Sequence, residues 1–160
     1  MRKLLLAAAL VAIATPALAQ NAGQIASVQR GASCAGCNLF QADLSRKELP
    51  GKSFVGARLR QADLTAVSMA GANFSRADLR DVNAFGGLFS RASFAGADLT
   101  NASFVGTYLQ GARLNGAILS GVNFSGAEMD RAVGLTQAQL NRACGDAATQ
   151  LPRGLSIPRC

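Results

Sequence analysis

The chain has 160 residues, 49% of them hydrophobic, and 16 Lys and Arg stand against 9 Asp and Glu for a formal charge of +7. It contains no histidine, which removes Ser-His-Asp and Cys-His catalysis and the haem-attachment motif that needs a His after its second Cys. The length suits one domain.

Residues 1–19 read as a secretory signal peptide. Arg2 and Lys3 form a positive start, Leu4 to Ala14 an apolar stretch, and Ala17-Leu18-Ala19 a small-x-small site, with cleavage expected after Ala19. The stretch is too short to serve as a membrane anchor. No cysteine follows the cleavage site, so a lipid-modified terminus is not indicated. The expected location is periplasmic or secreted. Residues 20–31 form an N-terminal cap or linker. In an exported chain the four cysteines, Cys34, Cys37, Cys144 and Cys160, read as a disulfide framework with three pairings open.

From Leu39 to Met129 a large apolar residue returns every five positions: eighteen of nineteen are Leu, Phe or Met, with Ala84 the exception. A small or modest residue stands two places before it in seventeen of nineteen cases, the exceptions being Lys47 and Lys52. Nothing is inserted or deleted. Five residues turn an α-helix by about 500°, which keeps no constant face, and an odd spacing swaps the faces of a strand. A coil that turns one corner per five residues satisfies the period, and four corners close a square of 20 residues. The large residue and its small partner then point inward and the other three positions face solvent.

The units QADLS at Leu44, QADLT at Leu64, RADLR at Leu79 and GADLT at Leu99 resemble the pentapeptide-repeat family. The resemblance implies an all-β fold, a right-handed quadrilateral β-helix over residues 32–133. Residues 20 apart then stack: Leu39, Leu59, Leu79, Leu99 and Leu119 form one core ladder, and Phe54, Phe74 and Phe94 another. With coils about 4.8 Å apart the rod is roughly 23 Å long. Two places break the pattern. At Ala84 a local bulge is expected to turn Phe85 inward. The corner at Pro50-Gly51 is expected to open, or to let Lys47 and Lys52 reach water, because a buried unpaired lysine is costly.

Residues 134–160 are expected to cap the far end with a short helix and a tail that folds back. Thr136 with Gln139 reads as a capping box, and Gly145 as a stop. Given that fold, cysteines at opposite ends of the rod lie too far apart to bond. This leaves Cys144–Cys160 and Cys34–Cys37, the latter either bonded or reduced as inward core packing. Cys-x-x-Cys is also compatible with a redox pair or half a zinc site, but no second ligand pair stands near it.

Asp43 with Asp63 and Asp78 with Asp98 stack in the same register. Such pairs serve glycosidases and cation sites, but here they occupy the repeat's ordinary Asp/Asn position. Arg60 stacks with Arg80 near Arg58, while Arg46, Arg76, Arg91 and Arg131 fall on other corners. A dispersed charge of this kind is ordinarily solvated surface, with weak contact to anionic lipid or polysaccharide as the other reading. Some cytosolic members of the resembled family mimic DNA and bind gyrase through an acidic surface. This chain is basic and reads as exported, so that activity is not carried over and no nucleic-acid partner is expected. The reading is a non-catalytic exported structural or protein-interaction solenoid of the cell envelope, with an unknown protein partner and no catalytic residue, cofactor or metal. The alternative is a redox or metal-binding role through Cys34 and Cys37.

Overall fold

A computed structural model describes residues 20–160; the leader expected at residues 1–19 lies outside them. The period of five becomes a square coil. Backbone pairing consists of isolated parallel bridges between residues 20 apart, from Asn38↔Arg58 through Arg113↔Val133. Each face contributes one bridge per coil, so the ladders are built of three-residue rungs and not of long strands. Leu79 N–H donates to Asp98 O at 2.7 Å and Asp78 N–H to Ala57 O at 2.9 Å, and this scheme recurs up the rod.

Corners follow from turn chemistry. Ala77 N–H returns to Phe74 O at 3.0 Å, and Arg76 between them has a φ of 58°. That is the pattern of a type II turn, whose third residue needs φ > 0. Every fifth residue from Gly36 to Gly126 shares this backbone, as glycine or as Gln, Arg, Asp, Asn or Ala. The repeat's Asp or Asn reinforces the next corner. Asp63 Oδ1 accepts from Thr65 N at 2.9 Å, Asp98 Oδ1 from Thr100 N at 3.0 Å, and Asn73 Oδ1 from Ser75 N at 3.0 Å. These Asx turns offer the corner N–H a side-chain acceptor.

Four faces result, each identified by its outward column. The first carries Asn38, Arg58, Asp78, Asp98 and Ile118; the second Asp43, Asp63, Asn83, Ser103 and Asn123; the third Glu48, Ser68, Leu88, Tyr108 and Glu128; the fourth Ser53, Asn73, Ser93, Arg113 and Val133. Leu39, Leu59, Leu79, Leu99 and Leu119 are buried along the axis, as are Phe54, Phe74 and Phe94. The rings of Phe54 and Phe74, and of Phe74 and Phe94, stack at 5.2 Å in both cases. Identical neighbours in register let the rings lie parallel, which is one of the favourable offset geometries.

The bulge expected at Ala84 is absent. Phe85 points to solvent, 55% exposed, and the period passes through unbroken. In the next repeat Phe89 leans back over Gly87, so that a Cβ there would stand 2.5 Å from Phe89 Cε2 and 3.1 Å from Ala84 O. A bulge would leave an unpaired residue in the ladder. The Pro50-Gly51 corner stays closed, with Leu49 N bonded to Ser68 O at 2.7 Å and Gly51 N to Ala70 O at 2.8 Å. Lys47 and Lys52 are only half-buried there.

Helix α1, Ala22–Gln29, covers the first coil. It buries Val28 completely and packs Ile25 against the core. Its glutamines close the open ladder edge: Gln24 Oε1 accepts from Asn38 N at 2.8 Å and Gln29 Nε2 donates to Asp43 O at 2.9 Å. At the other end α2, Gln137–Leu140, is a single turn with a reciprocal Thr136–Gln139 capping box. Gln139 Nε2 also donates to Leu114 O at 3.0 Å and Ala117 O at 2.9 Å. Beyond α2 the chain rejoins the ladders with one and then two extra residues, at Asn123↔Cys144 and Glu128↔Gln150. The tail adds Gly145↔Arg159 on top.

Candidate functional site

The stacked acidic residues do not assemble a site. Asp43, Asp63 and Asp98 each spend Oδ1 on the corner two residues on. The Ser45 hydroxyl, bonded to Asp43 Oδ1, is the first cause that holds Asp43 below its ordinary carboxylate value. Asp78 is lowered chiefly by its hydrogen bonds from Arg80, at 2.8 and 2.7 Å. Arg80 lies 3.8 Å from Asp98 as well, and Arg60 pairs with Asp81 at 3.2 Å. The stacked arginines are thus neutralised by neighbours and do not form a bare cationic patch.

The sulfurs of Cys34 and Cys37 lie at bonding distance, with Cα atoms 5.5 Å apart, and those of Cys144 and Cys160 likewise, with Cα atoms 4.8 Å apart. Cys37 is buried and Cys34 partly buried against the core. Among the described residues no group of three or more His, Cys, Asp or Glu is arranged to hold a metal.

The feature that stands out was not read from the sequence. Leu88 and Tyr108 are bridge partners on the third face and both side chains point outward, 49% and 38% exposed. Phe85, with Val105 one coil above it, stands on the corner that leads into this face. The outward column elsewhere is mostly Asp, Asn, Ser, Glu or Arg, so large apolar residues there have no packing reason. The available signal was this column, read separately from the inward one.

On the opposite corner of the same face lies an open groove of about 490 Å³ lined by Tyr108, Gln110, Ser90, Arg91 and Arg131, with Ala70, Gly71 and Gly111 as its small residues. Its existence follows from composition: alanine and glycine leave no side-chain bulk where the neighbouring coils carry Gln and Arg. Aromatic and arginine side chains beside an apolar patch are the residue types that dominate protein–protein binding energy.

Against protein-family models the chain matches pentapeptide repeats, in 8 copies, over residues 53–81, 88–126 and 108–144. Among solved structures it is similar to a pentapeptide repeat protein from the Arabidopsis thaliana thylakoid lumen, at 27% identity over 60% of this chain and 70% of that one, with a TM-score of 0.53. It is also similar to the pentapeptide repeat protein Rfr23 from the cyanobacterium Cyanothece 51142, at 23% identity over 81% of this chain and 97% of that one, with a TM-score of 0.51. No curated protein matches it. Proteins of this fold are right-handed quadrilateral β-helices and generally act as structural or interaction proteins. The unbroken 20-residue register and the matched repeats agree: the chain belongs to the pentapeptide-repeat family.

Proposed function

We propose that this protein is a non-catalytic, exported interaction solenoid of the cell envelope that binds a protein partner through its third face. The observation that carries the reading is the clustering of Phe85, Leu88 and Tyr108 at the third face, whereas the other exposed large apolar residues, Ile118 and Val133, stand singly on the first and fourth. Solvent-facing aromatic and aliphatic side chains clustered on one rigid face are characteristic of binding surfaces. Export is supported by the leader pattern of residues 1–19 and by the thylakoid-lumen location of one similar protein. In an oxidising compartment both cysteine pairs are bonded, with Cys34–Cys37 and Cys144–Cys160 as structural staples. Non-reducing peptide mapping of protein from the periplasmic or secreted fraction checks this pairing. The binding surface is tested by a photo-crosslinking residue placed at position 88 or, as a control on the second face, at position 63. A discrete adduct at 88 and none at 63 is expected in envelope material. Equal capture at both positions, or at neither, refutes the assignment of the third face.

A further inference from the structure

We infer that the groove beside Tyr108 reads a carboxylate, so that the partner segment is an extended acidic peptide with an apolar side chain next to its Asp or Glu. This rests on the interaction reading of the third face. Tyr108 belongs to both features: it stacks on Leu88 in the apolar column and lines the groove. An occupant of the patch therefore meets the groove within one or two residues.

The groove carries two cationic side chains that the fold leaves unspent. Among the described residues Arg91 and Arg131 form no ion pair, whereas Arg60 and Arg80 do. They stand two coils apart, about 9.6 Å by coil spacing. A Cβ on Gly111 would come 3.4 Å from Arg91 Cγ, so the stem of Arg91 lies against the Gly111 corner one coil above it. Asp130, next to Arg131, is engaged instead by Gln110 Nε2.

An extended peptide supplies both complements at once: a side chain for the apolar column and a carboxylate for the arginines. A run of phosphates fits less well, because it leaves the apolar side chains of Leu88 and Tyr108 uncovered.

The test is selection of random dodecapeptides by display against the full mature chain, followed by anisotropy titration of a labelled synthetic copy of the leading sequence. Selected sequences are expected to place Asp or Glu within two residues of an aromatic or aliphatic residue. Arg91→Gln with Arg131→Gln should weaken that peptide about tenfold or more. Replacing the peptide carboxylate by an amide should do the same, and the two losses should not add. If Leu88→Asp abolishes binding while the arginine pair leaves it unchanged, the third face binds peptides and the carboxylate inference is wrong. If no sequence is enriched, or binding ignores all these variants in folded protein, both readings fail. Sedimentation with phosphatidylglycerol vesicles that the arginine variants abolish, without peptide binding, overturns the peptide in favour of a membrane surface.

Discussion

Gly87→Ala gives a sign test of the core at its irregular point. Gly87 has ordinary backbone dihedrals, unlike the corner glycines. In most such places Gly→Ala stabilises by about 0.4–1 kcal/mol through the unfolded chain. Here the new Cβ would stand 2.5 Å from Phe89 Cε2, 3.2 Å from Phe89 Cζ and 3.1 Å from Ala84 O. Carbon atoms rest at about 3.5–4.0 Å, so the ring must retreat by roughly 1 Å. It has nowhere to go: its centroid lies 6.1 Å from that of Phe74, 5.6 Å from Phe94 and 5.7 Å from Phe104. Overpacking of this kind costs about 1–3 kcal/mol. The expected net is destabilisation by about 1–2 kcal/mol, a Tm loss of about 3–6 °C for a chain of this size. Phe89→Leu removes the ring at its own cavity cost. Combined with Gly87→Ala it should cost about 1 kcal/mol less than the sum of the two. Thermal and urea melts of the four proteins provide the cycle. A stabilised Gly87→Ala, or strictly additive effects, would refute the packing of the Phe89 ring over position 87.

Gln139→Ala removes a capping box and two bonds to ladder carbonyls, and should cost about 1–2 kcal/mol in urea melts, with faster amide exchange at Leu140 and Asn141. Acid stability has a defined direction. The folded values of Asp78, Asp43 and Asp146 lie below the ordinary 3.8, through Arg80, the Ser45 hydroxyl and the Gly126 N–H respectively. Their stabilisation is complete above that ordinary value and is lost as pH falls through the lowered folded values. Tm should therefore be flat from about pH 8 to 5 and fall below about pH 4, and Asp78→Asn should flatten the fall. Cys160→Ser opens a loop of 16 residues, worth about 3 kcal/mol in the chain-entropy model. Exchange should rise at the Gly121, Phe124 and Met129 amides, which donate to Arg142, Cys144 and Gln150, while Leu79 and Leu99 stay protected. Uniform exchange along the rod would contradict nearest-neighbour coupling between coils.

The coil architecture was legible because packing and the period coincide. A residue that must be inward at Leu39 must be inward again at Leu59, and no other local structure has that repeat. The Asp column was legible as ordinary repeat chemistry, and the Asx turns give its physical reason. Phe85 was misread because an empty core site at Ala84 was matched to the nearest large residue in sequence. In the structure Phe85 faces solvent and the backbone keeps its register through Ala84. Helix α1 gave little warning: its amphipathic signal is weak, with Val28 its one buried residue. The interaction face was hidden for a different reason. Outward positions carry no periodic constraint, so Leu88 and Tyr108 violate no pattern until the column is assembled in three dimensions.

That freedom also shows where function resides in such a rod. Inward positions are fixed by packing and the corner positions by φ > 0. The two ends are spoken for as well. An exposed ladder edge invites a second chain, and here glutamine amides occupy it: Gln24 and Gln29 at one end, Gln139 at the other. A primary amide has a donor and an acceptor on a flexible stem, so it imitates the missing peptide group without extending the sheet. Gln137 does the same for the tail, accepting from Ser156 N at 3.0 Å and donating to Ser156 O at 3.0 Å. With core, corners and edges committed, selectivity has to reside in outward side chains. Many of these are polar, and the Asp and Asn side chains among them bond to their own corners. Leu88, Tyr108, Arg91 and Arg131 are neither buried nor used by the fold, and they meet on one side of one face. A solenoid that needed only to be a rigid spacer would gain nothing from that arrangement.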